Sequence, residues 1–360
     1  MPGSRGVART GCPGALAAIP LPMHVAVDAQ NLVADRRGIG VYLRAVLPRI
    51  IASEACEVTL LVRGLPILKR RALQRELGCE NFSLANRVPP DADVVWHPWN
   101  GTFFESGTPS VVTIHDVAPF AMPENDPATR SNQQAPFLRS ARTARRIIAD
   151  SVFSKSEIIR HLGVEPQKID VIPLAADARY APGRPESPLP AELVAHPYIL
   201  YVGAVEPRKN VGPLVAAWKV AFRPEDLGLL FVTSDDVPPG VIARTALSTE
   251  ALRDLYRGAL FAAVPSSYEG FGLPALEAMA CGAPVVCSRV ASLPEVCGDA
   301  ALYVEDPHDV GDWTAALREL FENAPMRARL RELGFVRAAQ FSWDSTAEQT
   351  LRVLQGVIAR

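Results

Sequence analysis

The segment Glu269-Gly-Phe-Gly-Leu-Pro-Ala-Leu-Glu277 carries the strongest chemical signature in the chain. It follows an apolar strand, places Gly270 and Gly272 in a loop, and starts a short helix with Pro274 in its first turn. The glycines let a ligand approach the backbone closely, and the amides at a helix start attract phosphate. Glu269 and Glu277 can then face one ligand from two sides. Two glycines alone are more often a plain turn, but this context predicts an anion site flanked by carboxylates.

The elements around this segment follow a repeating pattern. From Met23 onward, short β-branched runs alternate with amphipathic stretches, which predicts βα units around parallel sheets. Strands of a first sheet are predicted at Val25–Val27, Val58–Val62, Val94–Trp96, Val111–Ile114, Ile147–Ala149 and Val171–Ile172. Strands of a second are predicted at Tyr198–Val202, Leu229–Val232, Ala259–Val264 and Pro284–Cys287. Helices are predicted at Val41–Ser53, Pro66–Leu77, Val211–Ala221, Thr249–Arg257, Pro274–Ala280, Asp309–Asn323 and Trp343–Ile358.

A proline-rich segment divides the two series. Ala181–Pro190 contains four prolines and one glycine, which is typical of a linker. We therefore expect a disordered extension over residues 1–22, a first Rossmann-like domain over 23–185 and a second over 186–342. A terminal helix over 343–360 is expected to pack back on the first domain. Two such domains place their site in the cleft between the carboxyl ends of their strands.

Composition narrows the class of protein. The chain has 360 residues, 48% hydrophobic and 21% charged, which excludes disordered, collagen-like and disulfide-scaffold proteins. A formal charge of −2 argues against nucleic-acid binding, although the first 190 residues hold 22 basic and 18 acidic side chains. The six cysteines form no CxxC pair, so we expect reduced thiols and a cytoplasmic protein. No apolar run approaches the roughly 18 residues of a membrane span.

Several segments together resemble a known family. Glu269–Glu277 is similar to the E-x7-E signature of the retaining glycosyltransferases of family 4, whose members have the two-domain GT-B fold. Val202–Asn210 resembles the family's diphosphate-binding segment. Other similar segments are Gly38–Tyr42, Thr113–Asp116, Ser151–Lys155, Ser292–Val296, Gly298–Ala301 and Phe341–Trp343. They occur in the expected order from about Met23 to the end.

The resemblance implies an α/β protein of GT-B type, with two Rossmann-like parallel-sheet domains facing a central cleft. The first domain would hold the acceptor, and the second would bind a nucleotide sugar, which is a substrate, so no cofactor is expected. The residues implied in donor binding are Arg208, Lys209, Glu277, Gly270, Phe271, Gly272, Leu273, Gly38 and Gly40.

The same resemblance assigns roles in catalysis to Glu269, His115 and Lys209. Lys209 would stabilise the charge that develops on the departing diphosphate. Glu269 would contact hydroxyls of the transferred sugar, Glu277 the ribose hydroxyls, and His115 the sugar or acceptor side. The alternatives are a solvated Arg-Lys pair, a plain turn at Gly38 and Gly40, and a structural histidine.

A hydroxyl-binding role for Glu269 bears on the mechanism. Double displacement needs a carboxylate nucleophile close to the anomeric carbon, so we favour same-face transfer, in which the departing phosphate oxygen accepts the acceptor's proton. Asp91 and Asp93 spell a DxD motif but precede their strand. We read them as structural and expect no metal.

The acceptor site is less determined by the sequence. Trp96, Trp99 and Asn100 are candidates because aromatic faces pack against sugar rings or lipid-like groups. For the neighbouring Phe103 and Phe104, core packing is an equal alternative. The basic residues Arg139, Arg142, Arg145 and Arg146 are read as a solvated helix face rather than a contact with an anionic surface.

Two departures from the family pattern stand out. Ala204 stands where some relatives have an arginine, and the region 233–248 has room for one helix fewer than expected, in the neighbourhood that helps to hold the nucleotide base.

The leading hypothesis is a hexosyltransferase, with mannose from GDP-mannose as the example, acting on a glycan, lipid-linked or small-molecule acceptor. The alternative is a catalytically weak relative that binds a nucleotide or glycan. Association with the inner face of a membrane is left open, and a nicotinamide oxidoreductase is disfavoured because no GxGxxG follows Val25–Val27.

Overall fold

The computed structural model describes residues 22–35, 38–186 and 196–358. Residues 1–21 of the expected extension and 187–190 of the expected linker lie outside these ranges. The described chain contains two parallel sheets with helices packed on them, one sheet in each of two lobes. The α/β class expected from the sequence is confirmed.

The first lobe is built on a seven-stranded sheet. Its strands are β1 (Met23–Asp28), β2 (Cys56–Leu61), β3 (Ser83–Ala85), β4 (Val94–His97), β5 (Ser110–Ile114), β6 (Arg146–Ala149) and β7 (Ile169–Val171). They lie in the order β3-β2-β1-β4-β5-β6-β7. The helices of this lobe are α1 (Gly38–Ile51), α2 (Pro66–Leu77), α3 (Ala118–Ala121), α4 (Pro127–Thr143) and α5 (Val152–Leu162).

The second lobe is built on a six-stranded sheet. Its strands are β8 (Tyr198–Val202), β9 (Gly228–Val232), β10 (Ile242–Arg244), β11 (Phe261–Val264), β12 (Val285–Ser288) and β13 (Ala301–Val304). They lie in the order β10-β9-β8-β11-β12-β13. The helices that follow are α6 (Val211–Ala221), α7 (Thr249–Gly258), α8 (Leu273–Cys281), α9 (Leu293–Cys297), α10 (Val310–Glu322), α11 (Ala324–Ala338) and α12 (Trp343–Ile358).

Each sheet has a switch point on which a ligand site can form. The strand order reverses between β1 and β4 in the first lobe and between β8 and β11 in the second. The connections that leave two such strands diverge, which opens a crevice at the carboxyl edge of the sheet. The central strands are buried on both faces, as all five residues of β5 show, because helices cover both sides of a parallel sheet.

The sequence pattern located most of these elements. All ten predicted strands are present with ends shifted by a few residues, and α2 begins at Pro66 and ends before Gly78, whose φ of 64° is left-handed. The elements that the pattern did not predict are β3, β10, β13, α3, α4, α5, α9 and α11. Some of them are short edge strands, and α4 buries only Phe137 and Ser140, so its apolar residues form no stripe.

The helix α12 follows the second lobe in the chain but packs on the first. Its residues Trp343, Ala347 and Leu354 belong to the same buried apolar cluster as β1 and α1. Thr346 Oγ1 donates a hydrogen bond of 2.7 Å to the carbonyl of Pro173, and Arg49 forms a 2.5 Å ion pair with Asp344. The chain therefore passes between the lobes twice.

The connection between β9 and β10 is unusually short. Residues 233–241 join two parallel neighbours without a helix, although such a crossover normally needs a dozen or more residues. The sequence predicted one helix fewer in this region than the family pattern has, and the connection between β9 and β10 contains no helix. Asp235 stabilises the connection because its carboxylate accepts a 2.6 Å hydrogen bond from the Val205 amide.

Candidate active site

A buried ion pair forms where β8 and β11 end. The one-turn helix Pro207–Lys209 follows β8 and directs Lys209 to Glu269, which lies beyond β11. Lys209 Nζ is 2.6 Å from Glu269 Oε1, and the hydroxyl of Ser266 donates to the same oxygen at 2.7 Å. The two charged side chains are 11% and 8% exposed. The sequence predicted both residues at the site but not their contact.

Glu269 is held as a carboxylate by its surroundings. Burial alone would raise the pKa of Glu269, but the charges of Lys209 and Arg208 and the hydrogen bond from Ser266 outweigh burial and lower it below the usual value. The Arg208 guanidinium lies 3.8 Å from Glu269 Oε2 and is also bonded to Glu206. With three partners, this carboxylate is a poor base and a fixed hydrogen-bond acceptor.

The loop after Glu269 touches the first lobe. A Cβ added at Gly270 would lie 2.1 Å from the carbonyl oxygen of His115, so only glycine fits at this crossing. Ser151 Oγ donates to the Gly270 carbonyl at 2.7 Å, and Ser154 Oγ lies 2.9 Å from the carbonyls of both Gly270 and His115. The predicted residues Gly270 and His115 therefore meet across the cleft.

Two helix starts converge beside this crossing. Gly272 precedes α8 with a φ of 104°, a left-handed conformation that favours glycine. A Cβ added at Gly38, the first residue of α1, would lie 3.9 Å from Leu273 Cδ1, the first side chain of α8. Helix starts carry partial positive charge, so the starts of α1 and α8 add to the positive charge of Arg208 and Lys209. This combination of positive groups suits the binding of a diphosphate.

Other donor-site predictions fall on packing residues. A Cβ added at Gly40 would lie 2.1 Å from the carbonyl oxygen of Asp35, so this glycine admits the backbone before α1 rather than a ligand. Phe271 is buried and stacks edge-on with Phe341 at 5.7 Å between ring centroids. It also lines a cavity of about 250 Å³ that extends to α12. The Phe271 side chain therefore packs at the junction of the lobes.

Glu277 lies inside α8 in a different setting from Glu269. It is 8% exposed, and its Oε2 accepts a hydrogen bond of 3.1 Å from the hydroxyl of Tyr256. Burial raises the pKa of Glu277 to about 8, against the lowering effect of the Tyr256 hydrogen bond. Near neutral pH the carboxyl is mostly protonated, so Glu277 can both donate and accept hydrogen bonds.

His115 is fully engaged inside the first lobe. Its Nδ1 lies 2.7 Å from Asp150 Oδ2, and its Nε2 lies 3.1 Å from the carbonyl oxygen of Pro98, which can only accept. Burial alone would lower the pKa of His115, but the charge of Asp150 and its hydrogen bond raise it above the usual value. Burial also raises the pKa of Asp150, so the two side chains hold a proton between them more firmly than either would alone. For the His115 ring to contact a sugar, Nε2 would have to lose its hydrogen bond to the Pro98 carbonyl and form one with a sugar hydroxyl instead.

The predicted acceptor residues are placed in the core. Trp96 is 0% exposed and donates its indole N–H to Thr113 Oγ1, while Trp99 donates its N–H to the carbonyl of Asp28. Neither ring presents a face to an acceptor. Asn100, at φ 61°, instead accepts a 2.6 Å hydrogen bond from the His115 amide. In this structure the three residues position the end of β5, and the assignment of Trp96, Trp99 and Asn100 to the acceptor stays a prediction.

Three positioning groups were missed in the sequence. Asp150 forms a hydrogen bond with the His115 ring. The hydroxyls of Ser151 and Ser154 donate hydrogen bonds to the Gly270 carbonyl. Glu295 of α9 accepts hydrogen bonds of 2.8 and 3.2 Å from the amides of Val152 and Phe153 at the start of α5. The similarity of Ser151–Lys155 to a family segment was a signal for the serines. No sequence pattern indicates Glu295, because its partners are more than 140 residues away.

Asp91 and Asp93 serve the start of β1. Asp93 accepts a 2.8 Å hydrogen bond from the His24 amide, and Asp91 lies 3.2 Å from the His24 ring. The described residues contain no cluster of three side chains that could hold a metal ion. In the same part of the chain, none of the helices combines the length and apolar character of a membrane span.

Two protein-family models match the chain, one in each lobe. Residues 37–180 match the model described as Glycosyltransferase Family 4, and residues 196–323 match Glycosyl transferases group 1. The O-antigen chain mannosyltransferase B of Escherichia coli is 36% identical over 263 residues, which cover 67% of this chain and 69% of that protein. The MMP alpha-(1->4)-mannosyltransferase of Mycolicibacterium hassiacum is 35% identical over 62% of this chain, and the match spans only 56% of its own length.

Solved structures share the fold of the whole described molecule. A sucrose-phosphate synthase from Thermosynechococcus elongatus has a TM-score of 0.68 at 20% identity, with 94% of this chain and 99% of that one covered. The Anabaena protein HepE, solved in complex with UDP and glucose, has a TM-score of 0.70 at 16% identity, with 93% and 100% covered. At these identities the likeness concerns the fold, and it confirms the expected GT-B arrangement.

Proposed function

Since the chain belongs to the glycosyltransferases of family 4, we propose that it moves a hexosyl group from a nucleotide sugar to a hydroxyl of a glycan, lipid-linked or small-molecule acceptor, with retention. Mannose from GDP-mannose is the first donor to test, because two of the relatives are mannosyltransferases. The observation that carries the proposal is the crossing of the lobes at Gly270 and His115, beside the ion pair of Lys209 and Glu269.

The donor diphosphate would lie between the two helix starts and the cations. When the bond from the anomeric carbon to the phosphate oxygen breaks, negative charge grows on that oxygen. Lys209, Arg208 and the amides of α8 stabilise this charge because they are fixed before the reaction begins. Their preorganisation in a buried site makes the contribution larger than it would be in water.

Glu269 is better suited to bind the sugar than to attack it. Oε1 of Glu269 already accepts hydrogen bonds from Lys209 and Ser266, and the pKa of Glu269 is lowered. The carboxylate is therefore a weak nucleophile and a weak base. It can accept hydrogen bonds from sugar hydroxyls and fix the ring. The acceptor hydroxyl then forms its bond on the face from which the phosphate leaves, and its proton goes to the departing phosphate oxygen. No enzymic base and no metal are needed in this scheme.

A donor screen tests the proposal. The purified protein is incubated with GDP-mannose, UDP-glucose and other nucleotide sugars, and release of the nucleoside diphosphate is measured without an acceptor, then with oligosaccharide acceptors. We expect slow hydrolysis of one donor, faster release with an acceptor, and a product of unchanged anomeric configuration by NMR. Absence of both hydrolysis and donor binding across the panel would refute the proposal.

The short connection between β9 and β10 favours one alternative function. This region of 233–241 lacks a helix, and a weakened base site would leave a protein that binds nucleotide or glycan without turnover. Saturable nucleotide binding measured by calorimetry, with no product from any acceptor, would select that alternative.

A further inference from the structure

The start of α5 is capped in part by a residue of the other lobe. The first amide N–H groups of a helix have no partner inside the helix. In α5, the amides of Val152 and Phe153 donate hydrogen bonds of 2.8 and 3.2 Å to the two carboxylate oxygens of Glu295. The next amide, that of Ser154, donates to the Ser151 hydroxyl of the same helix start. Two of the first three amides of α5 therefore have their partner in the second lobe.

The same helix start holds the backbone on both sides of Glu269. Its two serine hydroxyls donate to the Gly270 carbonyl at 2.7 and 2.9 Å. The Phe153 ring packs edge-on against the Tyr268 ring, with 5.5 Å between the ring centroids. Tyr268 and Gly270 are the neighbours of Glu269 in the chain. The start of α5 thus fixes the segment that carries this carboxylate relative to the first lobe.

The helix α9 contacts that segment as well as α5. Ser292 directly precedes α9 and is fully buried, and its hydroxyl lies 2.9 Å from the carbonyls of both Glu269 and Phe271. Glu295 follows Ser292 by three residues. The backbone of Glu269 and the start of α5 are therefore joined through the four residues 292–295.

The surroundings of Glu295 favour a role in alignment over a role in stability. A carboxylate at a helix start forms charge-assisted hydrogen bonds and interacts favourably with the helix dipole. Val152 is 62% exposed, so water can hydrate its amide when the carboxylate is removed. Loss of Glu295 should therefore loosen the contact between the lobes and leave α5 folded.

We propose that Glu295 is a positioning residue that aligns the two lobes for transfer, and so sets how much of the donor is transferred rather than hydrolysed; this rests on the proposed function. Transfer requires an acceptor hydroxyl held by the first lobe to meet the anomeric carbon held by the second. Water needs no such alignment, because neither lobe has to hold it. A displacement of about 1 Å between reacting groups lowers a rate by up to about 100-fold. Loss of Glu295 should thus reduce transfer more than hydrolysis.

The ratio of transfer to hydrolysis, measured with one donor and an oligosaccharide acceptor, tests the proposal. In the Glu295→Ala variant we expect transfer to fall about tenfold and hydrolysis about twofold, because alignment matters chiefly for transfer. Glu295→Gln keeps one oxygen that accepts a hydrogen bond, so transfer should fall about threefold. Hydrogen exchange of the Val152 and Phe153 amides, followed by NMR, should become faster in both variants, with little change in the thermal unfolding midpoint.

Val152→Pro removes one of the two amides and keeps Glu295. Proline suits the first position of a helix, and Ser151 before it already has the extended backbone, with φ −150° and ψ 163°, that a following proline requires. This variant should lower the ratio of transfer to hydrolysis about threefold. Added to Glu295→Ala, it should cause no further loss, because both substitutions break the same contact.

A matched control changes another carboxylate of the second lobe. Asp299 is exposed and lies four residues after Glu295, and Asp299→Asn should leave the ratio unchanged. The same loss in this control, equal losses of transfer and hydrolysis in Glu295→Ala, or additive losses with Val152→Pro would overturn the proposal. Inactivity on every donor would refute the proposed function and this proposal with it, whereas active transfer with an unchanged ratio in Glu295→Ala would overturn this proposal alone.

Discussion

Replacing Lys209 with methionine should affect stability and catalysis by different amounts. Methionine keeps much of the side-chain volume but removes the charge that lies 2.6 Å from Glu269. Removing one partner of a buried pair costs about 3–5 kcal/mol, because the other charge stays buried. Arg208 at 3.8 Å and the Ser266 hydroxyl still support the carboxylate, so we expect about 3 kcal/mol, the lower end of that range.

A second substitution separates the two effects. Lys209→Met with Glu269→Gln removes both charges, so most of the lost stability should return. Activity should not return, because the departing diphosphate still lacks its cation. The loss of one preorganised group that stabilises transition-state charge is about 10²–10³-fold in kcat.

The pH dependence gives a further check on the pair. The pKa of Glu269 is lowered in the folded protein, so this carboxylate contributes stability above its unfolded pKa, and that stability is lost as the pH falls through the lowered value. Without the charge of Lys209, burial has the larger effect on the Glu269 carboxyl, so the pKa of Glu269 rises. Lowering the pH should therefore reduce the stability of the Lys209→Met variant less than that of the unaltered protein. Unfolding midpoints in urea at neutral and acid pH, with single-turnover donor hydrolysis, measure these effects. Activity of the single variant within tenfold of the unaltered protein, or recovery in the double variant, would refute the reasoning.

Three other substitutions test neighbouring parts of the site. Burial raises the pKa of Glu277 to about 8, so the folded state holds a proton that the unfolded carboxyl releases. The stability of the protein should therefore fall as the pH rises from about 4.5 to 8. In the Glu277→Gln variant, thermal unfolding midpoints should no longer show that fall. Gly270→Ala should lower turnover about 100-fold through its clash with the His115 carbonyl, whereas Gly212→Ala, in open space, should leave turnover unchanged. Asp150→Asn should lower the pKa of the His115 ring, because burial then acts without the carboxylate; an unchanged NMR titration would disprove this.

Local signals in the sequence were reliable where one residue type determines the backbone. Pro66 and Gly78 bound α2, and α6 spans the predicted Val211–Ala221 without change. Gly270 and Gly272 do lie in a tight loop, for reasons of steric fit and positive φ that glycine alone satisfies. These features depend on neighbours in the chain, so a pattern can predict them.

Side-chain roles that depend on distant partners were harder to predict. An aromatic cluster such as Trp96 and Trp99 fits a sugar-binding surface and a core equally well, and only the indole hydrogen bonds to Thr113 and Asp28 decide for the core. Lys209 and Glu269 were both expected at the site, but their ion pair joins residues 60 positions apart. Such contacts follow from the packing of the lobes, which no local pattern encodes.

The position of α12 makes the end of the described chain part of the first lobe's core. One passage of the chain lies between β7 and β8, and another lies between α11 and α12, whose Trp343 and Leu354 are part of the first lobe's core. A substitution at Trp343 or Leu354 would therefore act on the core of the first lobe, although both residues follow the second lobe in the chain.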